Sequence, residues 1–240
     1  MAVSRKRLQE NLQHVRDRIA ESARKVGRDP GNVRLVAITK AADLDDVKAL
    51  IDLGVSDLGE NRLQQLLARA GDVAAWVARR RKETSPYRWH MVGHLQRNKV
   101  RQVLGVADVI HSVDSLRLAE EIDRRGELIG RVIDVMLQVN CSEEPQKFGV
   151  AVGASSHLAE QMCTMDHLRV TGLMTMAPLN PNPEKARPTF TRLREIFEDM
   201  RREKIGGKDF RHLSMGMTQD YAVAVEEGAT IVRIGTALFA

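Results

Sequence analysis

Short apolar, β-branched runs recur along this chain, and each is separated from the next by sequence with helical periodicity. Val33-Arg34-Leu35-Val36-Ala37-Ile38-Thr39 is the first, and it reads as a parallel strand covered on both faces. Further runs stand at 55–58, 88–92, 107–111, 132–139, 168–173, 210–213 and 230–234. Between them the spacing turns helical, as in 45–53, where Val47, Leu50 and Ile51 share a side, and in 61–79, 114–124 and 188–203. Strands that alternate with helices are joined by right-handed crossovers and must lie parallel. Eight such units in 240 residues is the arithmetic of an α/β fold closed as a (β/α)8 TIM-type barrel, with an open doubly wound sheet as the alternative.

Ahead of the first strand, Leu8, Leu12, Val15 and Ile19 fall at helical intervals, and Gly27 and Pro30 end the segment. Residues 1–30 are therefore expected to add an N-terminal helix that packs on the barrel. The densest proline stretch, Pro178-Leu179-Asn180-Pro181-Asn182-Pro183, lies between a strand and a helix and reads as one loop, so 1–240 is expected to be a single domain. Charge narrows the partners. Thirty-seven basic residues face 32 acidic ones, and the cluster Arg79-Arg80-Arg81-Lys82 has Glu83 beside it. That reads as a solvated face, so no nucleic-acid partner is expected, a nucleic-acid module being the alternative that the net charge of +5 supplies. No run approaches the ~20 apolar residues that span a bilayer. The N-terminus lacks a secretory apolar region, which makes the cytoplasm the expected location. Cys141 and Cys163 are too few for a disulfide framework and read as ordinary thiols.

In a barrel of this kind the working residues gather where strands end. Lys40 ends the first strand, where an amine at the edge of an apolar interior can form an imine with an aldehyde; taken alone, a snorkelling surface lysine is the commoner reading. Asn61 follows the second strand in Gly59-Glu60-Asn61, either as a turn residue or as a hydrogen-bonding group aimed into a site. Ser214, Gly216, Met217 and Thr218 follow the seventh strand and lead into a helix, and Gly235 and Thr236 follow the eighth, where barrels frequently bind phosphate. Alternation turns Arg233 inward, opposite to Val232 and Ile234. A buried guanidinium needs a partner, either a structural carboxylate or a ligand.

An imine-forming lysine, phosphate donors and an inward arginine suit a phosphorylated aromatic aldehyde, and pyridoxal 5′-phosphate (PLP) meets that description. Over nearly its whole length the chain resembles the pyridoxal-phosphate homeostasis protein family, whose fold is like the N-terminal barrel of alanine racemase, the fold-type III PLP barrel. The matching segments include Leu35-Val36-Ala37-Ile38-Thr39-Lys40, Gly59-Glu60-Asn61, Trp89-His90-Met91-Val92-Gly93-His94, Ile110-His111-Ser112-Val113-Asp114, Lys147-Phe148-Gly149, Gly172-Leu173-Met174-Thr175-Met176-Ala177-Pro178, Leu213-Ser214-Met215-Gly216-Met217 and Val232-Arg233-Ile234-Gly235-Thr236. The resemblance implies that Lys40 is the Schiff-base lysine and that Ser214, Gly216, Met217, Gly235 and Thr236 hold the phosphate. It also implies that Asn61 flanks the cofactor and that Arg233 approaches the pyridine nitrogen. A guanidinium only donates, which keeps the ring neutral and a poor electron sink.

The function so implied is PLP binding that buffers the cofactor and delivers it to apo PLP-dependent enzymes, without a dedicated turnover, by a monomer. A PLP-dependent amino-acid racemase of fold type III is the alternative. Related racemases and decarboxylases complete their sites with a C-terminal β-domain and a partner subunit; neither is expected here, since Phe239-Ala240 follows closely on strand eight. The family's second lysine and proline after the Schiff-base lysine are replaced by Ala42 and Asp43, its serine after Gly-Met is Thr218, a common glutamate is Gln65, and the stretch 72–86 is long and basic.

His90 and His94 stand four apart, but His90 belongs to a strand, so the pair shares no helical face and no metal is expected. His111 is expected to satisfy buried polar groups. Met174, Met176, Met215 and Met217 read as adaptable packing near strand ends. Lys147-Phe148-Gly149 follows the fifth strand and either closes over a cofactor or caps its own loop.

Overall fold

The computed structural model describes residues 3–80 and 84–240. Eight parallel strands close a barrel in chain order: β1 Arg34–Ile38, β2 Asp57–Glu60, β3 Arg88–Met91, β4 Val109–Val113, β5 Ile133–Gln138, β6 Leu168–Met174, β7 His212–Ser214 and β8 Ile231–Ile234. Strand β8 pairs back onto β1, with Val36 opposite Arg233, so the open-sheet alternative is excluded. The helices around it are α1 Arg5–Lys25, α2 Leu44–Asp52, α3 Leu63–Ala78, α4 Val100–Leu104, α5 Leu116–Ile129, α6 Ser155–Cys163, α7 Arg187–Arg202, α8 Tyr221–Glu226 and α9 Thr236–Phe239.

The period of two divides the strand side chains between two cores. Val36, Ile38, Val92, Val109, Met136, Met174 and Ile231 fill the interior of the barrel. Ala37, Leu58, Ile110, Leu137, Leu173, Val232 and Ile234 face outward into the larger core beneath the helices.

Three strands begin about two residues later than their apolar runs suggest, because the first apolar residue of each run belongs to the preceding turn. The Val55 amide closes a turn on Leu50 O, the Ala107 amide bonds Val103 O, and Phe210 stacks on Phe197 with ring centroids 4.9 Å apart.

Helix α1 buries Leu8, Leu12, Val15 and Ile19, each contributing about 1.5–3 kcal/mol on transfer from water. Ser4 caps its start through the Arg7 amide. Its end is a Schellman turn: Arg28 N bonds Ala23 O at 2.9 Å, Gly27 N bonds Arg24 O at 3.0 Å, and Gly27 adopts φ +71. The Arg28 guanidinium then binds Val225 O and Ala229 O, and Asn11 binds Leu238 O and Ala240 O. The first helix and the turn that ends it thereby fix the segments on both sides of β8. Residues 81–83 of the basic cluster lie outside the described residues; of the remainder, Arg80 pairs with Asp52 and stacks over Trp76.

Candidate functional site

At the carboxyl end of the barrel, β1 runs into a turn whose first residue, Lys40, is exposed while the preceding Thr39 is fully buried. The turn is held from below. Thr39 Oγ1 donates to Glu60 Oε1 at 2.5 Å, Arg69 Nε lies 3.0 Å from the same carboxylate oxygen, and Arg69 Nη2 donates to Ala42 O at 2.5 Å. Burial raises the Glu60 carboxyl above its ordinary value, and the Thr39 bond and Arg69 charge oppose that rise.

Strand β7 ends at Ser214, after which Gly216 adopts φ +92. A side chain there would also collide, its Cβ falling 2.6 Å from Ala224 Cβ. This left-handed step returns the chain so that Met217 N bonds Asp220 Oδ1 at 2.6 Å, while Gly216 O accepts the Arg233 amide at 3.0 Å. Strand β8 then delivers Arg233, followed by Gly235 and by Thr236 in the first turn of α9. Lys40, Met217, Asp220, Arg233, Gly235 and Thr236 line one cavity of about 370 Å³, with Ile38, Leu179, Thr218 and Gln219.

Arg233 points inward as its strand parity requires and is 4% exposed. It donates to Ser214 Oγ at 2.6 Å and to Thr175 O at 2.9 Å, so a hydroxyl and a carbonyl are its partners, not a carboxylate. Burial lowers the guanidinium to about 10, opposed by the charge of Asp220. Burial raises the Asp220 carboxyl, and the Met217 amide and Arg233 pull against it.

Beneath Arg233 a chain of buried polar groups runs down the barrel. Ser214 Oγ meets His111 Nδ1 at 2.8 Å, His111 Nε2 meets His90 Nδ1 at 2.8 Å, and His90 Nε2 meets Asp57 Oδ1 at 2.9 Å. Burial pushes both imidazoles below their ordinary values, which keeps them neutral. Burial would raise Asp57, but hydrogen bonds from His90 and Ser56 and the charge of Arg88 outweigh it and hold the carboxyl well below the usual carboxylate range. The ends fix the direction of every bond: Arg233 only donates and ionised Asp57 only accepts. Ser214 therefore donates to His111, His111 donates from Nε2 to His90, and His90 donates from Nε2 to Asp57.

Of the residues expected in the site, Lys40, Met217, Arg233, Gly235 and Thr236 share the cavity, and Gly216 shapes its edge. Ser214 does not reach it: its hydroxyl is fully buried and joined to Arg233 and His111. Asn61 lines a separate cavity of about 470 Å³ with Met91, His94 and Lys99. His111 satisfies buried polar groups, as its position suggested, and also supports the partner of Arg233. The Lys147-Phe148-Gly149 loop docks on its neighbours: Phe148 stacks on His94 with centroids 4.0 Å apart, and Lys147 pairs with Glu144. Asp220 is the ionisable cavity residue, among those described, that the sequence does not single out. Its signal was an acidic residue three positions after Met217, at the entry to a helix, where its carboxylate reaches back to accept from the Met217 amide.

Among the described residues no helix is long and apolar enough to cross a membrane. The family model described as alanine racemase, N-terminal domain, matches residues 3–240. The chain is 38% identical over 232 residues to the pyridoxal phosphate homeostasis protein of Pseudomonas aeruginosa, covering 96% of this chain and 94% of that one. An uncharacterised protein of Bifidobacterium adolescentis has a similar crystal structure, with TM-score 0.91, 37% identity and coverage of 100% and 97% of the two chains. The PLP-bound structure of PipY from Synechococcus elongatus PCC7942 matches with TM-score 0.78 and 30% identity, covering 92% of this chain and 100% of that one.

Proposed function

Because this chain belongs to the alanine racemase N-terminal domain family, and within it to the pyridoxal phosphate homeostasis proteins, we propose that it binds pyridoxal 5′-phosphate in the cavity at the carboxyl end of its barrel and maintains the cofactor pool. The observation that carries this reading is the convergence of the Lys40 amine, the Arg233 guanidinium and the Met217–Thr218 and Gly235–Thr236 turns on one cavity. Those donors fit the group: a primary amine for a carbonyl, and hydroxyl and first-turn amide groups for a phosphate. When bound, PLP supplies an electrophilic aldehyde carbon and an aromatic ring able to delocalise charge.

In this proposal Lys40 holds the carbonyl carbon. Its position is set by the Thr39–Glu60–Arg69 clamp on either side of its turn. Met217, Gly235 and Thr236, with the turn that Gly216 permits, hold the phosphate. Ser214 contributes from beneath, by holding Arg233. Arg233 faces the ring as a donor that keeps its own proton, which favours retention of the cofactor over carbanion chemistry. Asn61 stays a proposed flank of the cofactor, reached from the neighbouring cavity. The protein acts as a monomer in the cytoplasm and passes PLP to apo PLP-dependent enzymes.

The racemase alternative needs a second acid–base group facing Lys40. Among the described residues lining the cavity, Asp220 alone bears a carboxyl, and its Oδ1 is bound to the Met217 amide. Incubation with single amino acids separates the readings: racemisation faster than that by free PLP overturns the carrier role. For binding itself, the purified protein mixed with PLP is expected to show visible absorbance that borohydride fixes to Lys40. Lys40→Ala should abolish it, and fixation to another lysine would overturn the assignment.

A further inference from the structure

The opposite end of the barrel holds a further cavity of about 180 Å³, lined by residues near the start of the strands: Arg34 of β1, Arg88 of β3, Asp134 of β5, Arg169 of β6, and Arg211 and His212 at the start of β7. Barrel interiors are usually filled by branched apolar side chains, and the amino-terminal face usually serves stability. A plug built only for stability would pair its charges one to one. Here four arginines meet three carboxylates, Asp57, Asp134 and Asp209.

The pairing is also uneven. Arg169 lies 2.6 Å from Asp134 and Arg88 2.7 Å from Asp57, but Arg34 stands 3.8 Å from Asp57 and Arg211 3.9 Å from Asp209. Both of the latter lie beyond hydrogen-bonding distance, and Asp57 already accepts from Ser56, Arg88 and His90. The unspent positive charge registers on its neighbours: after burial, the charges of Arg34, Arg211 and Arg88 lower His212 to about 4.

We propose that this amino-terminal cavity is a binding site for one small tetrahedral oxyanion of the phosphate class, held by Arg34 and Arg211 and walled by Arg88 and Arg169. Arginine forks match the oxygens of such an ion, and two of the four forks here lack a hydrogen-bonded carboxylate. Pockets that take drug-sized ligands run to about 300–1,000 Å³, so a cavity of about 180 Å³ admits the ion and excludes the body of a nucleotide or of PLP. The site is separate from the carboxyl-end cavity and does not depend on what binds there.

Thermal unfolding at constant ionic strength tests it, with sodium chloride as the reference and inorganic phosphate or glycerol phosphate as the probe. Inorganic phosphate is expected to raise the unfolding temperature of the wild type. An effect of inorganic phosphate alone assigns the free ion, and equal effects of both probes assign the phosphate group of a larger metabolite. Arg211→Gln, at a side chain that is mostly exposed and makes no hydrogen-bonded ion pair, should weaken the apparent phosphate affinity about tenfold or more, as expected when a charge-assisted bond is lost. Arg34→Gln should do the same. No phosphate effect on the wild type, or an undiminished effect in Arg211→Gln, overturns the proposal, the second result placing the ion elsewhere.

Discussion

The Ser214 hydroxyl stands at a strand end that suits a phosphate, yet the barrel uses it to hold Arg233 and His111. Ser214→Ala would leave a guanidinium N–H and His111 Nδ1 without a partner in a fully buried setting. A stability loss of roughly 1–3 kcal/mol is expected, measured as a lowered urea midpoint, together with a shifted spectrum of bound PLP as Arg233 relaxes. Unchanged stability would mean that water or another group replaces the hydroxyl. Legibility at this scale followed parity. Arg233 was readable as inward because its strand is short and regular, and Lys40, Met217, Gly235 and Thr236 were readable because they stand where strands end. Ser214 shares the inward parity of Arg233, and the same rule applied to His90, His111 and Asp57 would have exposed the polar chain. What the sequence does not display is which inward groups meet, since His111 and Ser214 stand 103 positions apart.

Among the elements, the turn after β1 depends on α3 as much as on its own residues. Arg69 reaches from that helix to Glu60 and Ala42, and Glu60 binds Thr39, so the turn that presents Lys40 is held on both sides. Arg69→Met keeps an unbranched apolar stem but removes the guanidinium, leaving the fully buried Glu60 carboxyl without its ion-pair partner. Breaking a buried ion pair in this way costs about 3–5 kcal/mol, less here because Arg69 is partly exposed. The expected result is a destabilised protein that retains Lys40 but binds PLP more weakly; Arg69→Met,Glu60→Gln should recover part of the stability, and no recovery would remove the pair from the argument. The clamp escaped the sequence reading because Arg69 lies on a helix whose apolar pattern draws attention to the other face. The strands themselves were legible, since a covered parallel strand is mostly apolar, and the inward polar residues interrupt its runs only singly. Their boundaries at β2, β4 and β7 were not, because Val55, Ala107 and Phe210 are apolar for the sake of the preceding turn or helix.

For the molecule as a whole, the buried imidazoles make stability depend on pH in a definite direction. His90 and His111 lie inside the barrel, and His212 lies at its amino-terminal end; burial lowers all three, His212 to about 4. In the unfolded chain each histidine takes a proton near pH 6.5, whereas the folded rings stay neutral until lower pH. Between those values the unfolded state binds more protons, so stability rises with pH across the window. The contribution is fully present above about pH 6.5 and is lost as pH falls toward the folded values. Glu60, Asp114 and Asp220 oppose it, because burial raises their carboxyls and so favours the folded state as they protonate at more acidic pH. The urea midpoint of the wild type is therefore expected to fall from pH 7 to pH 5.5, before those carboxyls dominate. His212→Asn lies outside the chain that supports Arg233 and should narrow that fall while leaving PLP binding intact. Equal falls in the two proteins would show that His212 carries its proton in the folded state, and that the positive charge around it is neutralised by something other than the three carboxylates.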